Sequence, residues 1–229
     1  MLLVRAADVA EYVQDGVVDF GITGIDLVHE RGARVRELLR LGFGSCRLEA
    51  AVPEESAVQT LEQLAGLAVA TVYPRLARRL LPVEVKLVDV TGSVEIAPRL
   101  GLADAIVDLV SSGNTLRTNG LRSLGTLLSS EAVLIGRGDS AAPLVSMLRA
   151  VVEARAHRYL MLNAPKARLE EVCAIVGGSL SPSVLPLARR GMVAVHALVP
   201  AADVWRLLPE LEAAGGSSIL FVPVERMAR

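Results

Sequence analysis

Aromatic residues make up only 3% of this 229-residue chain, with one Trp, three Tyr and three Phe. At 52% hydrophobic content the chain still affords a sizeable core, which must then be built from Leu, Val, Ile and Ala, the mix usual in parallel α/β layers. Cysteine is scarce as well. Cys46 and Cys173 lie far apart without metal-type spacing, and with no secretory segment in view they point to a reducing cytosol and a cytoplasmic protein. The three histidines, His29, His157 and His196, do not give the short ligand spacing of a zinc site and read as structural or surface residues. No apolar run approaches the roughly 20 residues of a membrane span. Nor is there an excess of either charge: 24 Lys+Arg against 25 Asp+Glu give a formal charge of -1, so no global field draws the chain to nucleic acid or an anionic membrane. Any anion site must be local.

What is present is an alternation of short helical and strand patterns. Val9, Tyr12 and Val13 make a helical stripe ended by Gly16, "VVDFGI" reads as a strand, and Gly21 and Gly24 bracket a turn before "IDLVHE" turns helical. "RLEAAVP" is a strand stopped by Pro53, "TLEQLAGLAVATVYP" a helix then a strand, and "RLARRLL" a basic helix with Pro74 in its favoured first position. "VEVKLVDV" and "ADAIVDLV" complete the strands, with "GSVEIAPRLG" between them. This order implies an α/β fold with parallel pairing, right-handed crossovers and ligands at the carboxyl ends of strands. After "RGDSAAP" and the helix "LVSMLRAVVEARAHR", a new pattern runs from "YLMLNAP" to "SSILFVPVERM" in a β-α-β-β-α-β, ferredoxin-like order. Its large apolar residues, Met161 and Trp205 among them, read as core.

The strand "ADAIVDLV" runs straight into "SSGNTL". Ser111, Ser112, Gly113, Asn114 and Thr115 combine three hydroxyls, a permissive glycine and a turn or helix start, so successive N–H groups can form a nest for phosphate. The same residues equally favour an ordinary capped turn. Two acids sharpen the case. Asp108 lies on the strand before the loop and Glu95 opens the segment leading into that strand; carboxylates beside a phosphate seat must face sugar hydroxyls or a divalent ion, and a phosphorylated ribose with Mg²⁺ supplies both. Separately, Glu95 reads as an acid at a helix N-terminus and Asp108 as a cap or ion-pair partner.

The stretch "EIAPRLGLADAIVDLVSSGNTL", Glu95 to Leu116, resembles the signature of the ATP phosphoribosyltransferases, which open histidine biosynthesis: a Glu, then Gly101, Ala103, Ile106, Asp108, Leu109, Ser112-Gly113 and Thr115-Leu116 at fixed offsets. "DFGITGIDLV", "LLRLGFGSCRL" and "VATVYPRLARR" are similar to other stretches of that family. "YLMLNAP", "SPSVLPLA", "MVAVHALV" and "GGSSILFVPVERM" resemble the carboxyl-terminal regulatory domain of its long form. Family members carry a further strand and a glycine-bearing loop ahead of the segment that starts here at Leu2, and that stretch is missing from this sequence.

The resemblance implies a two-lobed catalytic part like that of periplasmic binding proteins, with residues 1–52 and 117–152 as the first lobe and 53–116 as the second, followed by a ferredoxin-like, ACT-like regulatory domain over 153–229. It implies transfer of phosphoribosyl from phosphoribosyl pyrophosphate to N1 of the adenine of ATP, with Mg²⁺ held mainly by the substrates and no protein nucleophile. Ser111 to Thr115 are then assigned to the 5'-phosphate and Glu95 and Asp108 to the ribose hydroxyls. Arg5, Gly21, Thr23, Gly24, Tyr73 and Arg75 fall to the ATP or pyrophosphate side. Asn163, Ser181 and Ser183 are the candidates for histidine as inhibitor, in a homo-oligomer that is hexameric in the family. Two other readings stand beside this one: a small-metabolite binding module of the periplasmic-binding-protein fold, and an inactive homologue lacking the first segment.

Overall fold

The computed structural model describes residues 1–138, 143–177 and 181–228. Two compact units divide the chain, Met1–Ser140 and Ala141–Arg229.

The first unit contains two sheets. The smaller one has β1 (Phe20–Gly24), β8 (Ala132–Gly136) and β2 (Arg36–Arg40) in that spatial order, with both pairings antiparallel. Helices α1 (Ala6–Gln14) and α2 (Ile25–Arg31) supply Ala10, Val13, Ile25 and Val28 to a core shared with Val133 and Ile135 of β8. The five-stranded sheet has the order β5 (Lys86–Asp89), β4 (Ala68–Thr71), β6 (Ala105–Val110), β3 (Cys46–Pro53), β7 (Leu121–Ser130). One of its faces is covered by a 3₁₀ turn at Leu61–Leu64 and by α3 (Pro74–Leu80), around Leu48, Ala50, Val52, Leu64 and Leu76. The opposite face packs Ala51, Ile106 and Val110 against Val94 and Ala97, from a 3₁₀ turn at Val94–Ile96, and against Leu116 of α4 (Asn114–Thr118). Buried on both faces, the central strands read as near-continuous apolar runs, as the physics of a covered sheet requires.

Three expectations shift. Among the described residues parallel pairing is confined to β5, β4 and β6; β3 runs antiparallel to β6 and to β7 because the chain enters this sheet beside Val110, the end at which β6 leaves it. β3 and β7 also belong to the sheet of the second lobe, so the lobes part near residues 45 and 131 rather than at 52 and 117. And α5 (Pro143–Arg155), expected in the first lobe, belongs to the second unit, where the Ala150 carbonyl accepts a hydrogen bond from the Met227 amide at 2.9 Å.

In that unit β9 (His157–Pro165), α6 (Leu169–Val176), β10 (Ser183–Pro186), β11 (Met192–Pro200), α7 (Val204–Ala213) and β12 (Ser217–Pro223) form an antiparallel sheet of order β10-β11-β9-β12. This is the ferredoxin-like arrangement. Leu160, Leu162 and Val195 from the strands meet Val172, Leu207 and Leu211 from the helices. Trp205 is not core: it lies two residues, about half a helical turn, from buried Leu207, and is 84% exposed. Among the described residues no helix is long and apolar enough to cross a membrane.

Gly21 shows how tightly α1 sits on β1. A Cβ there would fall 2.3 Å from Val9 Cγ1 and 3.0 Å from Val13 Cγ2, so the helix could not keep its distance. Gly21→Ala is expected to overpack the contact and lower unfolding free energy by about 1–3 kcal/mol, read by urea denaturation, with partial recovery when Val9→Ala is added; an unchanged midpoint would remove Gly21 from this role.

Candidate active site

β6 delivers the hydroxyl-rich loop. After Val110 come Ser111 and Ser112, both exposed, then Gly113 as the residue before α4. Gly113 has φ +74°, and no atom lies within 4 Å of where its Cβ would be, so it is the left-handed backbone and not crowding that requires glycine. Buried Leu116 anchors the far end of the turn while Thr115 stays exposed. The N–H groups of the first turn of α4 lack partners within the helix, and a left-handed residue at its start gathers such groups on one side, the geometry of an anion seat. Asn114 is spent locally: its Oδ1 accepts from Arg117 Nη2 at 2.5 Å.

Behind the loop, Asp108 faces the same side of the sheet as Ile106 and Val110. Burial raises its pKa first of all; a hydrogen bond from the Leu109 amide at 2.8 Å works the other way, and the negative charge of Glu95 raises it further. Glu95 sits in the 3₁₀ turn pinned by buried Val94 and Ala97, after Ser93 in the left-handed region at φ 49°. Two carboxylates therefore share one patch beside a seat for anions. Across the strand pair, Glu49 stands opposite Asp108 and is itself buried, bound by Arg47 Nε at 2.6 Å. A polar cavity of about 290 Å³ opens here, lined by Arg40, Ser45, Cys46, Arg47, Ser111, Ser129, Ser130 and Glu131.

The third part of the site is a buried cluster at the junction of the lobes. Asp26, in the first turn of α2, accepts from Ser130 Oγ at 2.5 Å and from the Tyr73 hydroxyl at 3.1 Å, and its amide donates to Ser130 Oγ at 3.1 Å. Burial, then the charge of Asp26 and its hydrogen bond, then the charge of Asp108, push the Tyr73 phenol far above its ordinary value, so it stays a neutral donor. Cys46 is likewise held as a thiol by burial and the Asp26 charge, against a hydrogen bond with Ser130. It is no activated nucleophile.

Of the sequence-derived candidates, Glu95, Asp108, Ser111, Ser112, Gly113 and Thr115 converge at this end of β6, with Tyr73 beside them. Others have structural employment. Gly21 admits Val9, and the Thr23 hydroxyl donates to the Ala6 carbonyl at 2.7 Å, fastening the start of α1. Gly24 caps α2 where a Cβ would fall 2.3 Å from Asp26 Oδ1. Arg5 is the exposed N-cap residue of α1. The N-terminus of α3, beside Arg75, is filled by Glu30, whose carboxylate accepts from the Arg75 amide at 2.9 Å and the Leu76 amide at 2.8 Å, while Arg75 Nη1 donates to the Arg31 carbonyl at 2.9 Å. In the second unit Asn163 and Ser183 share the sheet face away from α6 and α7, with Ser183 across from His196, and Ser181 is exposed. Sequence reasoning missed Asp26, Ser130, Glu30, Arg47 and Glu49. The acid two residues after Gly24 was visible; its partner 104 positions away was not.

A raised carboxyl pKa in the fold means that ionisation costs stability, a cost absent below the unfolded value and complete above the folded one. Asp108→Asn is therefore expected to raise Tm at neutral pH, with the gain fading as pH falls through the carboxylate range; thermal melts across about pH 3 to 8 check this, and a gain that persists in acid would assign it to packing.

Sequence comparison agrees with this geometry. The ATP phosphoribosyltransferase family model matches residues 5–154, and the model of the HisG C-terminal domain matches residues 154–226. The ATP phosphoribosyltransferase of Gemmatimonas aurantiaca is 44% identical over 99% of this chain and 84% of its own length. That of Methanocella arvoryzae is 42% identical over 100% of this chain and 84% of its own length. Among solved structures, the ATP phosphoribosyl transferase (HisG:HisZ) complex from Thermotoga maritima superposes with a TM-score of 0.55 at 27% identity, over 59% of this chain and 67% of that one. Matched by the family model over residues 5–154 and by its C-terminal domain model over residues 154–226, the chain belongs to the ATP phosphoribosyltransferase family, in its long form.

Proposed function

We propose that the first unit joins ATP to phosphoribosyl pyrophosphate and releases pyrophosphate, the first step of histidine biosynthesis. One observation carries the reading: two acids, Asp108 and Glu95, crowd together beside a loop shaped for an anion. A free phosphate would be repelled by the acids. A ribose 5-phosphate satisfies both halves at once, its phosphate on the Ser111–Thr115 loop and its vicinal hydroxyls donating to the carboxylates, which relieves the cost that burial imposes on Asp108.

The same carboxylates are placed to favour positive charge developing on the ribose as the bond from C1 to pyrophosphate breaks and the bond from C1 to N1 of adenine forms. Orientation of the two substrates supplies much of the rest. Arg40 and Arg47, which line the cavity, and Tyr73, which feels the charge of Asp108, are read as the side for ATP and pyrophosphate, together with Arg5 and Gly24. Mg²⁺, when bound, neutralises the pyrophosphate. No group of three or more His, Cys, Asp or Glu suited to a metal occurs among the described residues, and Asp108 and Glu95 are two oxygen donors of the kind Mg²⁺ takes when substrate and water complete its shell.

For the second unit the reading is histidine-dependent inhibition, with Asn163, Ser181 and Ser183 as contacts, in a cytoplasmic homo-oligomer, a hexamer. Its open sheet face supports assembly: Tyr159, Leu185, Leu220 and Val222 are all exposed.

The purified chain mixed with ATP, phosphoribosyl pyrophosphate and Mg²⁺ is expected to yield phosphoribosyl-ATP, followed by absorbance or chromatography; a folded chain that binds both substrates and makes none would sink the reading. Thr115→Val is expected to raise KM for phosphoribosyl pyrophosphate roughly 10- to 100-fold, the worth of a hydrogen bond to a charged group, and an unchanged KM would take the loop out of the site. Histidine is expected to suppress turnover, and Asn163→Ala to weaken that suppression while uninhibited kcat holds.

A further inference from the structure

The helices α2 and α3 belong to different lobes, yet they are joined by side chains from both. Asp26 and Glu30 are one helical turn apart and so lie on one side of α2. Asp26 receives the hydroxyls of Tyr73, the residue before α3, and of Ser130, the last residue of β7. Glu30 places both carboxylate oxygens on the first two amides available in α3, since Pro74 has none to offer. In return Arg75 reaches back to the Arg31 carbonyl at the end of α2, lying where a Cβ of Gly32 would come within 2.2 Å of its Nη1. The N-cap residue of α3 makes no side-chain capping bond of its own. Its cap comes from the other lobe.

From this seam we infer that Glu30 is a positioning residue for the transfer reaction: by capping α3 from the first lobe it fixes the angle between the lobes and so holds Tyr73 and Asp26 against the end of β6. The inference rests on the phosphoribosyltransferase reading of the cleft. Glu30 touches no reacting atom. It acts through α3, whose first residue follows Tyr73 directly, so a looser cap lets the phenol and its partner carboxylate part from the Asp108 side of the site.

Glu30→Gln tests it at nearly constant size. The variant turns an NH₂ group toward one of the two amides, so one charge-assisted bond is lost while the other oxygen still accepts. Expected are a Tm lower by a few degrees from the lost bond, KM for phosphoribosyl pyrophosphate within about twofold, and kcat lower by roughly tenfold or more from the loosened position of Tyr73. Glu30→Asp, which keeps the charge on a shorter arm, is expected to fall between the two. Amide hydrogen exchange supplies the second readout: it should quicken at Arg75 and Leu76 and also at Asp26, whose amide is bound to Ser130. In an active enzyme, quickening confined to Arg75 and Leu76, or a KM effect with unchanged kcat, overturns the positioning role and leaves a local cap. A parent chain that makes no product overturns the transferase reading, and the positioning role with it.

Discussion

A carboxyl group taken out of water must be given hydrogen-bond partners. Asp26 is only 4% exposed, and the structure around it follows from that constraint. Its two oxygens are met by hydroxyls from the second lobe, Ser130 at the end of β7 and Tyr73 ahead of α3, while the acid itself stands at the start of a first-lobe helix. To keep it satisfied, β7 must end where it does, α3 must begin where it does, and the chain must cross between the lobes close by. The Ser111 loop at the end of β6 opens on the same cavity as Ser130. The two lobes thus meet at one buried group, next to the cavity.

The site divides its labour by charge. Arg47 is tied to Glu49 and Arg40 lies 3.4 Å from Glu131, so the guanidinium groups bordering the cavity are held by acids and not left to wander. Asp108 and Glu95, by contrast, oppose one another. The protein tolerates that opposition in a sheet packed on both faces, where Ile106 and Val110 flank Asp108 along the strand. On the proposed function, such a pair is poised for a ligand that brings hydroxyl donors.

Much of this was legible in the residues. The run from Glu95 to Leu116 announced both the loop and its acids, because the signal is local: a strand, a left-handed glycine and a short helix in sequence order. The ferredoxin-like order of the second unit was legible for the same reason. What escaped depended on distance along the chain. β7, "LRSLGTLLSS", mixes Gly and Ser into its apolar positions and gives no clean alternation, yet it is fixed by a strand of register against β3. β10 carries little apolar signal of its own, being exposed along its length and paired with β11 at the edge of the sheet. The cap on the start of α3 was not legible because the acid that supplies it, Glu30, arrives from another lobe, and nothing near Arg75 in sequence says so. Trp205 was misplaced because large and apolar does not mean inward on a helix whose buried stripe is set by Leu207 and Leu211.

The family boundary at residue 154 and the physical boundary at 140 do not coincide. α5 lies between them, and it is stitched to the later unit at two points: Ala150 accepts from Met227, and Ala156, just past its end, accepts from Ala201 at 2.8 Å. Anyone dissecting this chain into parts would therefore do well to cut ahead of the helix. A fragment begun at 154 would strand the last residues of the chain without the carbonyl they fold onto.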